Sequence, residues 1–456
     1  FTADTEVTGS ITVYAQWTKD SSNEDNGNSG GTPGNTPGNT TGGSGGTTTP
    51  VEKPKTETDV EENTVIAITT VTATLEANGN ATATVSQAQV NDAINRVVEE
   101  AKKQGEGAAT RVEIKMEALD EVSSAEVSIP VEAVSQASEA GIDSFTIITP
   151  VASITFDANT LSAISEEATG DIKITAAKVD VSSLSPEAQQ QVGDRPVFDF
   201  NITSGDKRIS QFEGDMTVSI PYTPKEGEDI DAIVIYYIND SGELEIVSNC
   251  IYDSTTGRIS FSTRHFSQYA VGYNKITFKD VAEGAWYAKA VNFIAAREIT
   301  TGTGGGNFSP EARLTRGQFI VLLMRAYGIT PDADLKDNFA DAGATYYTGY
   351  LAAAKRLKIS SGVGSNMFAP EKEITRQEMF TLLYNVLKAV GRMPKGTAGK
   401  TLSSFTDAAD IAPWAMEAMK LLVGTGIVSG NGDRLFPTST TTRAEMAQVI
   451  YNLLSK

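Results

Sequence analysis

The chain carries a single cysteine, Cys250, and a single histidine, His265. One thiol excludes an internal disulfide framework and any multi-cysteine metal centre. One imidazole leaves almost nothing for histidine-dependent catalysis. His265 sits in Thr263-Arg264-His265-Phe266-Ser267 with no nucleophile elbow beside it, and reads as structural. No stretch approaches the ~20 consecutive apolar residues of a membrane span, and no signal-peptide pattern opens the sequence. Gly302-Thr303-Gly304-Gly305-Gly306 lacks the Lys-Ser/Thr and the strand context of a phosphate loop. Cations are also in short supply: 37 Lys and Arg face 58 Asp and Glu, a net charge of −21, which speaks against nucleic acid. The deficit is uneven. Residues 276–456 hold 20 cations and 16 anions, a net of +4, while the rest of the chain stands at −25. An acidic body with a mildly basic end directs that end toward an anionic partner. The expectation is a non-enzyme that needs no metal or cofactor.

What is present is a threefold repeat. Thr315-Arg316-Gly317-Gln318, Thr375-Arg376-Gln377-Glu378 and Thr442-Arg443-Ala444-Glu445 each place Thr three residues ahead of Gln or Glu and then open an apolar run. That spacing is a capping box: Thr315, Thr375 and Thr442 each satisfy one orphan N–H, and Gln318, Glu378 and Glu445 reach back to another. Phe319, Leu322, Leu323 and Ala326 follow the first box, Met379, Leu382, Leu383 and Val386 the second, and Met446, Val449, Ile450 and Leu453 the third. Each run reads as one apolar stripe on an amphipathic helix. The arginine is the oddity, because the first helical position already carries partial positive charge. An anion held jointly by Arg, free N–H groups and the helix dipole would account for it. Sideways pairing with a carboxylate of the neighbouring repeat is the plainer reading, and the two can coexist. On the anion reading, removal of the arginine is neutral to the fold.

Upstream of each box the same order recurs. Phe278/Asp280, Phe339/Asp341 and Phe405/Asp407 come first, then Trp286, Tyr346 or Trp414 at the head of a helix. Thirteen residues later stands Ile299, Ile359 or Ile427, followed by a glycine turn at Gly302, Gly362 or Gly430. Phe308, Phe368 or Phe436 and then Pro310, Pro370 or Pro437 lead to the arginine, six residues after each Pro. No unit can bury its stripe alone, so three must pack together.

This order, three times over about 180 residues, resembles the S-layer homology (SLH) domain. The resemblance implies an all-α pseudo-threefold prism with a central three-helix bundle. It also implies inter-repeat grooves that bind secondary cell-wall polysaccharide with negatively charged, pyruvylated terminal sugars. The residues carried over as ligand-binding are Arg316, Arg376, Arg443, Trp286, Tyr346, Trp414, Gly302, Gly362 and Gly430. For the aromatics, core packing and sugar stacking are both open. Asp280, Asp341 and Asp407 read as helix-cap or inter-repeat partners before ligand contacts. Repeat 1 departs from the pattern with Gly317 and Gln318, which places its groove, and Arg316, last among the three.

The remaining sequence orders as follows. Residues 1–18 resemble the closing strand of an internalin-type β-grasp surface repeat, and the start at Phe1 in mid-module reads as a fragment. Residues 19–57 form a flexible linker: positions 19–50 hold no aliphatic or aromatic side chain and nine of residues 21–50 are Gly. Residues 58–274 make a β-rich, α+β spacer with a helix over 87–103, and read as two packed halves dividing near 178–195. The SLH repeats then occupy 275–333, 334–400 and 401–456, giving a multidomain chain. The function this implies is non-covalent anchoring of a Gram-positive surface protein, extracellular and wall-bound. Two alternatives stand beside it: the anchor and spacer of a cell-bound exoenzyme, or a lattice-forming S-layer subunit.

Overall fold

The computed structural model describes residues 56–455 apart from 62, 106 and 395–399. The expected β-grasp remnant and nearly all of the linker lie outside the described residues. The first region alternates strands and helices: β1 (Thr56–Glu61), β2 (Thr64–Val71), β3 (Ala73–Leu75), β4 (Asn80–Thr84), α1 (Gln87–Gln104), β5 (Ala109–Met116), β6 (Ser124–Ile129), α2 (Val131–Glu139), β7 (Ser144–Ile148), β8 (Ser153–Asp157), α3 (Ala158–Glu167), β9 (Ile172–Val179) and α4 (Pro186–Val192). Strands follow, with one 3-10 turn (Ile230–Ala232) ahead of β13: β10 (Val197–Ser204), β11 (Lys207–Ile209), β12 (Gln211–Pro221), β13 (Ile233–Ile238), β14 (Leu244–Ile246), β15 (Ile251–Asp253), β16 (Arg258–His265) and β17 (Gln268–Tyr273). The helix expected over 87–103 is α1, opened by a full capping box at Ser86 and Gln89.

These strands form two sheets, ordered β1-β2-β5-β7-β8-β12-β16-β15 and β14-β13-β17-β10-β9-β6-β4-β3, with β11 on β10. The first is parallel through β2, β5 and β7 and carries α1 on β2 and β5 and α3 on β12. Strand β2 has buried side chains on both faces (Val65, Ile66, Ala67), as a sheet covered on both sides requires. Phe261 of β16 meets Tyr269 of β17 at 4.7 Å between ring centroids, which joins the two sheets directly. One buried cluster runs from Val65 to Val271. The expected division near 178–195 is therefore not a boundary between two cores: β9 and β10, on either side of it, pair antiparallel from Val197↔Val179 through Ser204↔Ile172. The segment between them, which carries α4, is a connection within one sheet. Strand β1 begins inside the expected linker: it is an exposed edge strand whose one apolar residue is Val60, so no apolar alternation marks it in the sequence.

The C-terminal region is helical: α5 (Ala288–Ala296), α6 (Arg316–Ala326), α7 (Thr348–Arg356), α8 (Arg376–Ala389), α9 (Met416–Gly424) and α10 (Arg443–Leu454). All three capping boxes form, each with its Thr hydroxyl on the N3 amide and the N3 side chain on the Thr amide. Helix α6 buries more than the expected stripe. Ile320, Val321 and Met324 are inside along with Phe319, Leu322 and Leu323, because α7, α8 and α10 all contact it. The segments just before the boxes close a ring: Leu314 N–H donates to Thr441 O at 3.1 Å, Thr441 N–H to Ile374 O at 3.1 Å, and Ile374 N–H to Leu314 O at 2.9 Å.

The helical region is clasped to the sheets. Ala296 packs into the spacer's cluster, and Asn274 Nδ2 donates to its carbonyl at 2.7 Å. Arg297, 1% exposed, donates to Cys250 O and Asp231 O at 2.7 Å each and to Ile233 O at 3.2 Å, with its guanidinium 3.5 Å from the Phe293 ring centroid.

Candidate functional site

Each box arginine starts its helix against the loop of another repeat. Arg316 N–H donates to Lys372 O at 2.9 Å and Gly317 N–H to Pro370 O at 2.8 Å; Arg376 and Gln377 do the same to Ser439 O and Pro437 O, and Arg443 and Ala444 to Ala312 O and Pro310 O. The next amide in each helix takes the Thr hydroxyl. The free N–H groups expected there do not exist, so the helix ends are satisfied before any ligand arrives. This corrects the first premise of the anion argument: the guanidinium must act without bare amides beside it.

The guanidinium itself is built into the joint. Arg316 Nε donates to Phe368 O at 2.9 Å, Arg376 Nε to Leu435 O at 2.8 Å, and Arg443 Nε to Phe308 O at 2.7 Å. The amides of those same residues donate to the FxD aspartates: Phe308 to Asp280, Phe368 to Asp341 and Leu435 to Asp407, each at 2.8 Å. The second carboxylate oxygen takes the following amide, of Ser309, Ala369 or Phe436. These three residues lie in the left-handed region, with φ of 59, 58 and 52°, a strain that the two-toothed carboxylate grip offsets. The aspartates thus hold a loop of their own repeat by hydrogen bonds and cap none of the box helices, while their charges stand near the box arginine of another repeat, Asp341 by Arg316, Asp407 by Arg376 and Asp280 by Arg443. In repeat 3 the equivalent of Phe308 and Phe368 is Leu435 rather than Phe436, one residue earlier than the aromatic pattern suggested. Burial pushes the Asp407 carboxyl up, but the amides of Leu435 and Phe436 and the Arg434 guanidinium outweigh it and hold it below the usual range.

Because Arg316 is 4% exposed and Arg443 5%, the expectation that removing them is neutral to the fold does not stand. What differs among the three is the side chain at N3 of the adjoining helix. Arg316 Nη1 meets Glu378 Oε1 at 3.2 Å and Arg376 Nη1 meets Glu445 Oε1 at 3.6 Å. Arg443 adjoins Gln318 instead. The two share a cavity of about 500 Å³ with Thr300, Thr301, Gly302, Thr303, Val321, Leu322, Arg325 and Tyr346. The altered box of repeat 1 therefore changes the surroundings of Arg443, and leaves Arg316 with its carboxylate. Arg325 was missed from sequence; comparing repeats would have found it, since the equivalent positions are Asn385 and Asn452.

The repeat-head aromatics are outside the core: Trp286, Tyr346 and Trp414 are 62, 61 and 55% exposed, which removes the core-packing alternative. The glycines have a packing reason of their own. Gly302 has φ of +79°, and a Cβ there would stand 2.3 Å from Asn307 O and 2.6 Å from Phe278; Gly362 and Gly430 are alike against Phe339 and Phe405.

Comparison with known proteins matches the S-layer homology domain to residues 277–320, 338–380 and 404–447. The C-terminal part of the chain carries three such domains, a domain type that binds cell-wall polymers in general and points to the cell surface. Among the relatives, the S-layer protein sap of Bacillus anthracis is 31% identical over 38% of this chain and 21% of its own length. The amylopullulanase of Thermoanaerobacterium thermosulfurigenes is 29% identical over 55% of the chain and 14% of its own length. Exoglucanase XynX of Acetivibrio thermocellus is 29% identical over 40% and 16%. The chain thus spans about a fifth or less of these relatives. Among the described residues no helix is long and apolar enough to cross a membrane.

Proposed function

We propose that residues 275–456 anchor a Gram-positive surface protein without a covalent bond, by binding secondary cell-wall polysaccharide whose terminal sugars carry pyruvyl carboxylates. The three repeats form a pseudo-threefold prism around a bundle of α6, α8 and α10, a reading supported by the ring through Leu314, Ile374 and Thr441. The observation that carries the ligand assignment is the cavity beside Arg443. Two arginines, three threonines and an exposed tyrosine line it over an apolar floor of Val321 and Leu322, the mix a sugar ring with a carboxylate requires. By repeat order, Gly362 and Trp414 flank Arg316, and Gly430 and Trp286 flank Arg376. Residues 58–274 act as a spacer and the segment is non-catalytic. Cosedimentation with purified sacculi, before and after removal of the polysaccharide, tests this: binding must disappear with the polymer. Binding to stripped peptidoglycan would refute the assignment. A second reading follows from the relatives named as an amylopullulanase and an exoglucanase, namely that this chain is the anchor of a larger cell-bound enzyme. The lattice reading follows from the S-layer protein, and two-dimensional arrays of purified protein would favour it.

A further inference from the structure

The three inter-repeat joints are alike in backbone and unlike in charge. In all three, the arginine Nε is spent on a neighbouring carbonyl, and an FxD aspartate stands near: Asp341 by Arg316, Asp407 by Arg376, Asp280 by Arg443. Those features cancel in the comparison. Two joints then add a glutamate on Nη1, Glu378 for Arg316 and Glu445 for Arg376. Glu378 is also shared with Lys372 Nζ at 3.2 Å. In the third joint no carboxylate lies within ion-pair distance of Arg443 among the described residues. Its Nη2 has only Thr300 Oγ1 at 3.5 Å, and its Nη1 has no hydrogen-bond partner among them.

Arg443 is 5% exposed as a residue and lines the cavity with no glutamate on its Nη1, so only the more distant Asp280 offsets its charge. The side chain in place of the glutamate adds to this. Gln318 Oε1 accepts from Thr315 N–H at 3.2 Å, so what it offers the cavity is its amide NH₂, a donor. Arg325 brings a second cation to the lining. The equivalent side chains of the other repeats, Asn385 and Asn452, are turned onto the carbonyls of Ile359 and Ile427. The lining contains no Asp or Glu at all.

We infer that the groove formed by Arg443, Gln318, Arg325 and Tyr346 is the principal acceptor of the anionic sugar, and that Glu378 and Glu445 already occupy the equivalent position in the other two. The inference rests on the polysaccharide reading above and reverses the ranking that the altered box of repeat 1 suggested. A sugar carboxylate takes the place that a glutamate oxygen takes in the sister joints: it accepts from Arg443 Nη1 and Gln318 Nε2, with the sugar face against Tyr346. The shared chemistry is an anionic saccharide, from a pyruvyl ketal or from a phosphate monoester.

The discriminating variant is Gln318→Glu. It installs the residue that the other two boxes already use, so the cap is retained and the melting temperature should hold. Titration calorimetry of the full chain uses the methyl glycoside of N-acetylmannosamine, its 4,6-pyruvyl ketal and its 6-phosphate. The ketal should bind the wild type and the neutral parent should not. The phosphate ester should bind more weakly than the ketal, since the joint is shaped to a carboxylate. Gln318→Glu should weaken ketal binding about tenfold or more by placing an internal carboxylate on Arg443. Glu378→Gln and Glu445→Gln should leave it unchanged or raise the number of occupied sites. If the wild type binds the ketal and Gln318→Glu binds it equally well, the inference fails while the polysaccharide reading stands. If the phosphate ester binds the wild type more tightly, the anion is a phosphate and the ketal assignment falls. If the wild type binds neither anion, both fail.

Discussion

Arg297→Met should loosen the joint between the sheets and the first repeat. The side chain is 1% exposed and has no carboxylate within ion-pair distance among the described residues. Its charge is held by the carbonyls of Asp231, Ile233 and Cys250 from the spacer and Phe293 from its own helix. Methionine fills the space of the stem but donates nothing, so three spacer carbonyls lose their charged donor. A buried acceptor left unmet costs about 1–3 kcal/mol. Relief of the arginine's own desolvation returns part of the sum, and burial indeed pushes its guanidinium pKa below the ordinary value. The net loss should be about 3 kcal/mol, a fall in melting temperature of roughly 3–4 °C for one transition of about 400 residues at ~2.1 cal/mol/K per residue. Scanning calorimetry of the full chain should show it, with the single coupled transition broadening or splitting as sheets and repeats part. Arg297→Lys should recover little, because one ammonium cannot span three carbonyls fixed for a fork. A melting temperature within about 1 °C of wild type would refute this, since even one unmet carbonyl costs more than that.

Arg376→Ala should cost about 2 kcal/mol in urea unfolding, because it removes the donor to Leu435 O and the partner of Glu445. Gly362→Ala should cost about 2 kcal/mol or more, since a Cβ would stand 2.3 Å from Met367 O at φ +82°, whereas Gly364→Ala meets open space and should cost less. Trp414→Ala should leave stability within about 0.5 kcal/mol while sacculus affinity falls, and equal affinity would exclude it from the groove. Asp280 and Asp407 both titrate below the ordinary carboxylate value when folded. Their stabilisation is therefore complete above the unfolded value of about 4 and is lost as pH falls below it. Acid titration should accordingly unfold the repeats from about pH 4 downward, and Asp407→Asn should flatten that limb.

Local pattern was enough for the repeats and for most of the spacer's elements. Thr and Glu three apart ahead of an apolar run can be satisfied only by a helix starting at that point, so α6, α8 and α10 begin where the boxes place them. Helix α1 and the alternating strands were legible for the same reason: their signals lie within one element. What needed the tertiary structure was every question of which neighbour. Nothing in Thr-Arg-Gly-Gln tells that Gln318 will face Arg443, 125 positions away, and not the Arg316 beside it. The spent amides at the helix ends, the loop held by Asp280, Asp341 and Asp407, and the clasp of Arg297 on Asp231, Ile233 and Cys250 are likewise contacts between segments distant in sequence. A residue's own type and spacing fix its secondary structure, because those forces act within a few residues. Its electrostatic partner is fixed only by how the chain closes on itself, and here the ring of three repeats brings the first box against the last.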